Sequence, residues 1–427
     1  MTEAFLHYLW KNRLFGFLDS QTTDGEPLKI VFPGYHNKDA GPDFKQAVIW
    51  IGDMKWAGDV EVHIRSSDWY RHKHQEDEKY KSVILHVVYE HDMVVERTPN
   101  EQYPTLELKG RISDDMFQRY QDLVDSPETL ACGHDLENIN PLTLRSCLSS
   151  LAIDRLLRKQ GAVMEVVKDC AYDWTEALYR LLAVSFGFKT NADAFELLAK
   201  SLPYKIIAKH SDSELQVNAL LFGQAGLLEV PELDVYYDSL KYEYDYLRYK
   251  YQLMPIGERH WKLLRLRPQN FPCMRLAQFS SLLVGTPNLM NAFIRFESVD
   301  QLKKQLSVSA GSYWRTHYHF GKMTSEHGVS MGETAVSSLL INTLVPFLFG
   351  YYRFSGQDGL MEKPVYILEQ LPFENNLLTR VFQDTPFPRE SALDSQALIE
   401  MQTNFCKKKR CIECTVGEKV IRNIRSR

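Results

Sequence analysis

The apolar residues of this chain change period near residue 114, and that change decides what the chain can fold into. Upstream, apolar and polar positions alternate in short runs bounded by turn residues. Leu28–Phe32 closes on Pro33-Gly34, Phe44–Ile51 closes on Gly52-Asp53, and residues 56–64 set Val60, Val62 and Ile64 against Glu61 and His63. A period of two is the signature of a β-strand. Residues 82–89 form a β-branched run, residues 105–108 supply an edge strand, and the polar stretch 67–80 reads as loop and short helix. An amphipathic helix from Met1 to about Phe17 precedes them, with Glu3 in its first turn. Downstream the spacing is helical, over 141–159, 175–186, 192–202, 214–227, 235–252, 274–283, 299–306, 333–349 and 393–405.

The expected fold class is therefore α+β. An N-terminal mixed β-sheet flanked by helices occupies 1–125, a larger all-α domain 126–400, and a basic cysteine-cluster tail, 401–427, packs on the helical domain. A chain of 427 residues has room for these parts.

Hydrophobic residues at 44% and charged residues at 25% are ordinary for a globular protein. The net charge of −5 argues against wholesale nucleic-acid binding and leaves local patches open. The N-terminus lacks the basic start, apolar core and small-residue cleavage site of a signal peptide. Residues 337–352, the most apolar run, are short for a bilayer and interrupted by Asn342 and Pro346, so a buried core helix and no membrane association are expected. Seven cysteines, an odd number with three near the C-terminus, do not make a secreted disulfide framework, and the expected compartment is cytoplasmic. No P-loop, dinucleotide fingerprint or G-x-S-x-G elbow is present, which leaves nucleotide hydrolysis, Rossmann redox chemistry and elbow-type nucleophilic catalysis without support.

Chemistry-bearing residues concentrate between Gly41 and His86. Asp43, Glu61, His63, His72, His74, Asp77 and His86 fall there, and carboxylates and imidazoles both ligate divalent cations and serve acid–base chemistry. Period two places Glu61 and His63 on one face of their strand, and Asp43, heading the preceding strand, can lie beside Glu61 across an antiparallel pair. A helix carrying Glu3, a strand, Pro42-Asp43, then Glu61-Val62-His63 on the next strand resembles the core of the PD-(D/E)xK nuclease superfamily, with His63 where that family has Lys. The resemblance implies a restriction-endonuclease-like mixed sheet, a Mg²⁺ or Mn²⁺ ion on Asp43 and Glu61, Glu3 as an auxiliary acid, His63 as base or ligand, and DNA or RNA as substrate. His72-x-His74 with Glu76 resembles a cupin metal motif, a weaker candidate set with Asp77 and His86. His86 also reads as a core histidine, and Asp77 as a helix cap.

The whole chain also resembles an uncharacterised bacterial family of unknown function, through segments such as DAGPDF, GDVEVH, SDWYRHKH, RPQNFP and CKKKRCIEC. That last segment spaces Cys406, Cys411 and Cys414 for one soft metal centre, zinc or an iron–sulfur cluster, with Cys132 the favoured fourth ligand over His134, Cys147, Cys170 and Cys273. From Cys406 onward eight basic residues, Arg425 and Arg427 among them, face two acidic ones. With Arg259, Arg265, Arg267 and Arg275 this could form a surface that tracks a phosphate backbone. Two functions follow as expectations: a metal-dependent nuclease, or a non-catalytic nucleic-acid-binding scaffold on the same fold with a structural metal.

Overall fold

A computed structural model describes residues 1–16, 20–99, 101–230 and 232–422. Their contacts gather into two units: Met1–Leu144 with Asp384–Pro386 and Met401–Arg427, and Arg145–Gln383 with Phe387–Glu400.

The first unit begins with helix α1 (Glu3–Asn12), whose Thr2 cap accepts a hydrogen bond from the Phe5 N–H at 3.3 Å. Phe5, Leu6, Leu9 and Trp10 are fully buried at helical spacing, and the Trp10 indole donates to the Pro33 carbonyl at 2.9 Å. Glu3 and His7 share the opposite, polar face one turn apart. Strands β1 (Leu28–Phe32), β2 (Tyr35–His36), β3 (Phe44–Ile51), β4 (Met54–Arg65) and β5 (Val83–Glu90) follow. A small ribbon, β6 (Glu96–Thr98) and β7 (Glu101–Gln102), leads to the edge strand β8 (Thr105–Glu107). The sheet order is β1-β3-β4-β5-β8, with β2 paired to β3. β3 runs antiparallel to β1 and β4, whereas β5 runs parallel to β4 and β8, so the sheet is mixed, as expected.

Parallel pairing of β4 and β5 requires a crossover. Here it consists of the short helix α2 (Asp68–Arg71) and two 3-10 turns, His74–Glu76 and Glu78–Ser82. A Cβ on Gly58 would lie 2.6 Å from the Ser82 carbonyl, so glycine lets β4 meet the end of that crossover.

Helix α3 (Asp114–Asp125) covers α1 through Tyr120, whose ring stacks on Phe5 at 4.4 Å. The C-terminal segment departs from expectation. Instead of joining the helical domain, the described residues from Met401 onward belong to the first unit. The helix Thr415–Arg422 buries Val416, Gly417, Val420 and Ile421 in one stripe, and α3 packs beside it. Arg119 Nε donates to the Ile421 carbonyl at 3.1 Å, and Arg422 Nε to the Tyr8 hydroxyl at 3.2 Å.

The second unit is helical around one large core in which Phe186, Phe195, Phe222 and Phe279 are fully buried. Two helices run well past the C-terminal limits read from sequence, Pro141–Asp169 and Glu333–Phe354. Pro346 does not interrupt the latter, because a π turn at Leu340–Leu344 precedes it and proline needs no N–H at the start of the next helical segment. That helix, alone among the described residues, is long and apolar enough to cross a membrane by length and composition, and 67% of its most apolar window is buried inside the protein.

Candidate metal centre

Asp43 stands one residue before β3, after the left-handed Gly41 (φ +110°) and the buried Pro42. The backbone grips it on every side. Its carbonyl accepts from the Asn37 N–H at 2.7 Å, its own N–H donates to Glu61 Oε2 at 3.1 Å, and its Oδ2 accepts from the Val62 N–H at 3.0 Å. A bulge follows at once. Pairing shifts from Phe44↔Val60 to Ala47↔Gly58, and Gln46, at φ +59°, donates to Asp59 Oδ1 at 2.9 Å. A bulge bends its strand and re-aims the side chains beside it.

Glu61 and His63 share a face of β4. Glu61 Oε1 lies 3.5 Å from His63 Nε2 and 3.2 Å from His74 Nε2, while His63 Nε2 lies 3.1 Å from His72 Nδ1. Beside them, His7 Nε2 is 3.1 Å from Asp43 Oδ2. The His7 and His74 nitrogens approach their carboxylates without hydrogen-bond angles and have no hydrogen-bond partner. Donors sharing a cation at about 2.1 Å lie about 3.0–3.4 Å from one another, and the 3.1 and 3.2 Å separations fall in that range while the 3.5 Å one lies just above it. The donor nitrogens of His63, His72 and His74 all fall within 4.8 Å of one another.

The crossover brings two of these imidazoles in by a local device. Lys73, between His72 and His74, takes the left-handed conformation at φ +59°, uncommon for a side-chain-bearing residue. Tyr80 then stacks on His74 at 3.8 Å, and Trp69, fully buried, meets the rings of His74 and His86 at 5.4 and 5.3 Å. Behind His63, the buried His86 holds Nδ1 through its Nε2 at 2.8 Å. When His63 Nε2 faces a cation, Nδ1 carries the proton and His86 accepts it, the arrangement that fixes a ligating ring.

Burial favours the neutral form of every perturbed group here. It pushes Glu61 up to about 9, helped by the Asp43 charge and opposed by His7. Burial, then the neighbouring His86, His74 and His72, drives His63 down to about 2. His86 falls to about 3, His74 and His36 fall as well, and Tyr80 rises to about 12, in each case with burial the leading cause. Burial thus holds His63 neutral, and a neutral imidazole is the form that ligates.

The other expected residues divide. Glu3, half-buried, acts through its charge on both Glu61 and His74. Asp77 is exposed and caps the turn Glu78–Ser82, accepting from the Lys79 N–H at 3.0 Å, the helix-cap reading its sequence position offered. Glu76 is exposed and accepts from Gln75, which corrects the cupin-like grouping: the carboxylate beside His74 is Glu61. His7 was missed, although its position four residues after Glu3 places it on the same helical face.

The cysteines form a second set. Cys132 precedes the 3-10 turn Gly133–Asn138, Cys406 ends the π turn Gln402–Cys406, Cys411 opens the turn Cys411–Glu413, and Cys414 leads into the last helix. After burial, the charges of Cys406, Cys414 and Cys411 raise the Cys132 thiol, and Cys406 is pushed up to about 12. A Cβ on Gly417 would stand 2.3 Å from the Cys411 carbonyl, so the turn closes only around glycine. The alternative ligand His134 is exposed beside Glu128. The basic run is largely engaged within the unit. Lys409 donates to the Ser126 carbonyl at 2.5 Å, and Arg410 and Arg422 pair with Glu413 and Glu418. Arg425 and Arg427 lie outside the described residues.

The chain belongs to the family described as protein of unknown function (DUF2851), whose profile matches residues 3–377. The sheet residues and Cys132 fall within the match, and Cys406, Cys411 and Cys414 beyond it. No curated protein and no solved structure matches the chain.

Proposed function

We propose that this family member is a divalent-cation-dependent phosphodiester hydrolase of the nuclease type, acting on DNA or RNA. One observation carries the reading: Asp43, just before β3, and Glu61 and His63, on β4, lie together at the positions that the resemblance to PD-(D/E)xK nucleases assigns to its motif, the Asp43 N–H donating to Glu61 Oε2 and Glu61 Oε1 lying beside the imidazoles of His63 and His74. No arginine or lysine pairs with Glu61 among the described residues; its charged neighbours are histidines and carboxylates. That favours a cation site over a scaffold residue satisfied by a salt bridge.

A bound cation polarises a phosphodiester and lowers the pKa of a water. The protein's own groups do the rest. Asp43 and Glu61 give the hard oxygen donors, and His63, held by His86, a softer nitrogen, a mixture that suits Mn²⁺ better than Mg²⁺. His72 is the exposed member, Glu3 acts through its charge on Glu61 and His74, and His7 stands beside Asp43. The cysteine set, with buried Cys132 and Cys414, fits a closed structural zinc or iron–sulfur centre.

The test is cleavage of labelled single- and double-stranded DNA and RNA with Mn²⁺ or Mg²⁺, comparing wild type with Asp43→Ala and Glu61→Ala. Cation-dependent cleavage lost in both variants is expected. Folded, metal-loaded wild type that cuts none of the four substrates sinks the proposal.

A further inference from the structure

The helical unit contains a buried cation with no anion. Arg275, in the first turns of the helix Pro272–Gly285, is 8% exposed. Its NH1 donates to Gln278 Oε1 at 2.8 Å and its NH2 to Asn270 Oδ1, both neutral amide oxygens, and its Cζ lies 4.5 Å over the Phe188 ring. Its Nε has no partner. Burial alone lowers its pKa, to about 10, and no carboxylate among the described residues pairs with it. This corrects the expectation of a surface arginine: Arg275 is in the interior, and burying a lone charge is costly unless something compensates it.

Arg275 lines a cavity of about 590 Å³, within the range of small-molecule sites. Two more cations, the exposed Lys189 and Arg267, line the same cavity with the hydroxyls of Thr190, Thr334 and Ser338, and no acidic residue does. The wall is built under backbone constraint. Phe188 takes a left-handed φ of +48°, rare for a bulky residue, and a Cβ on Gly187 would lie 2.4 Å from the Asn191 carbonyl. Asn191, non-helical inside its helix, is fastened by the Lys262 N–H at 2.8 Å and carbonyl at 3.0 Å. Gln278, in turn, is fixed by the Val329 carbonyl at 2.9 Å, which turns its oxygen toward Arg275. Three cations, hydroxyl donors and an aromatic wall match a phosphate attached to a ring-bearing body.

We propose that this cavity binds a phosphorylated ligand of nucleotide size, with Arg275 as its inner anchor and Lys189 and Arg267 at its rim. The site lies within the helical unit and stands whether or not the sheet unit cleaves phosphodiesters. The phosphate can come from a free mononucleotide or from the phosphorylated end of a strand, and the experiment separates the two.

Calorimetric titration of the full chain as purified, with no divalent cation added and at constant ionic strength, would use inorganic phosphate, a 5′-mononucleotide, and one oligonucleotide with and without a 5′-phosphate. Phosphate and mononucleotide are expected to bind, weakened by about tenfold or more in Arg275→Gln and in the rim variant Lys189→Ala/Arg267→Ala. Binding confined to the 5′-phosphorylated oligonucleotide, and lost in the same variants, supports the site and assigns its ligand to a strand end. The rim variant changes only exposed residues, so it carries the test even where Arg275→Gln fails to fold. No binding of any probe, or binding that the rim variant leaves intact, overturns the proposal.

Discussion

The two donor sets of the sheet-bearing unit are held in opposite ways. Asp43, Glu61 and His63 sit on or beside paired strands, and backbone N–H groups fix both carboxylates. The cysteines stand at the ends of short turns, three in one nine-residue segment near the C-terminus and Cys132 far upstream. A sheet keeps its donors at their separations with or without an ion, whereas turns this short have little else to define them. The sheet set is also open at the exposed His72, while Cys132 and Cys414 are buried. Rigid and open suits turnover, and closed and ion-dependent suits structure.

The largest effect should separate chemistry from folding. Asp43→Ala or Glu61→Ala is expected to cut cleavage by about a thousandfold or more while the circular dichroism spectrum stays that of wild type. An unfolded variant would break the contrast. The converse holds for Cys132→Ser, expected to cost about 3 kcal/mol and to lower the melting temperature by roughly 6–12 °C. A chelator should reproduce that loss in wild type and add nothing in the variant. Between these lies His86→Leu, which removes the group behind His63 without touching the ion. Metal affinity by calorimetry should fall about 10- to 100-fold, with activity recovered at saturating metal.

Acidity sharpens the contrast further. His63 and His86 have native pKa values of about 2 and 3 against an ordinary 6.5, so below 6.5 the unfolded chain binds protons that the native state refuses, and stability falls with pH. Glu61 works the other way: raised from 4.5 to about 9, it keeps a proton that the unfolded chain releases, so stability declines as pH rises across that window. Two histidines outweigh one carboxyl below 6.5, so the combined contribution of these three groups is greatest near pH 6.5; denaturant titrations of wild type and Glu61→Gln across the range will differ by no pH-dependent amount if Glu61 is not buried as described. The smallest effect belongs to Asp77→Ala. Loss of a cap costs about 1 kcal/mol, and metal affinity should not move.

Much of the sheet was legible because alternation is local. The faces of Val60–Ile64 and the position of Asp43 before the neighbouring strand brought Asp43, Glu61 and His63 together on paper as they stand in the fold. His7 was not legible, since the polar face of α1 gains a meaning only once Trp10 pins the helix beside Pro33. His86 sat in an apolar run and read as core; it is core, and it also braces a candidate ligand. The last helix found its partner through a stripe of small and β-branched residues, a cue too short to identify α3 in advance. Arg275 shows the limit of charge patterning, because clustering among arginines said nothing of which one turns inward.

Trp69 gives the centre its own optical gauge. Its ring is sealed from water and meets two imidazoles edge to face, so any change in their protonation or ligation alters the field around an emitting indole. The difference in fluorescence between wild type and Trp69→Phe during a metal titration would thus report occupancy of the histidine side directly, with no label and no substrate.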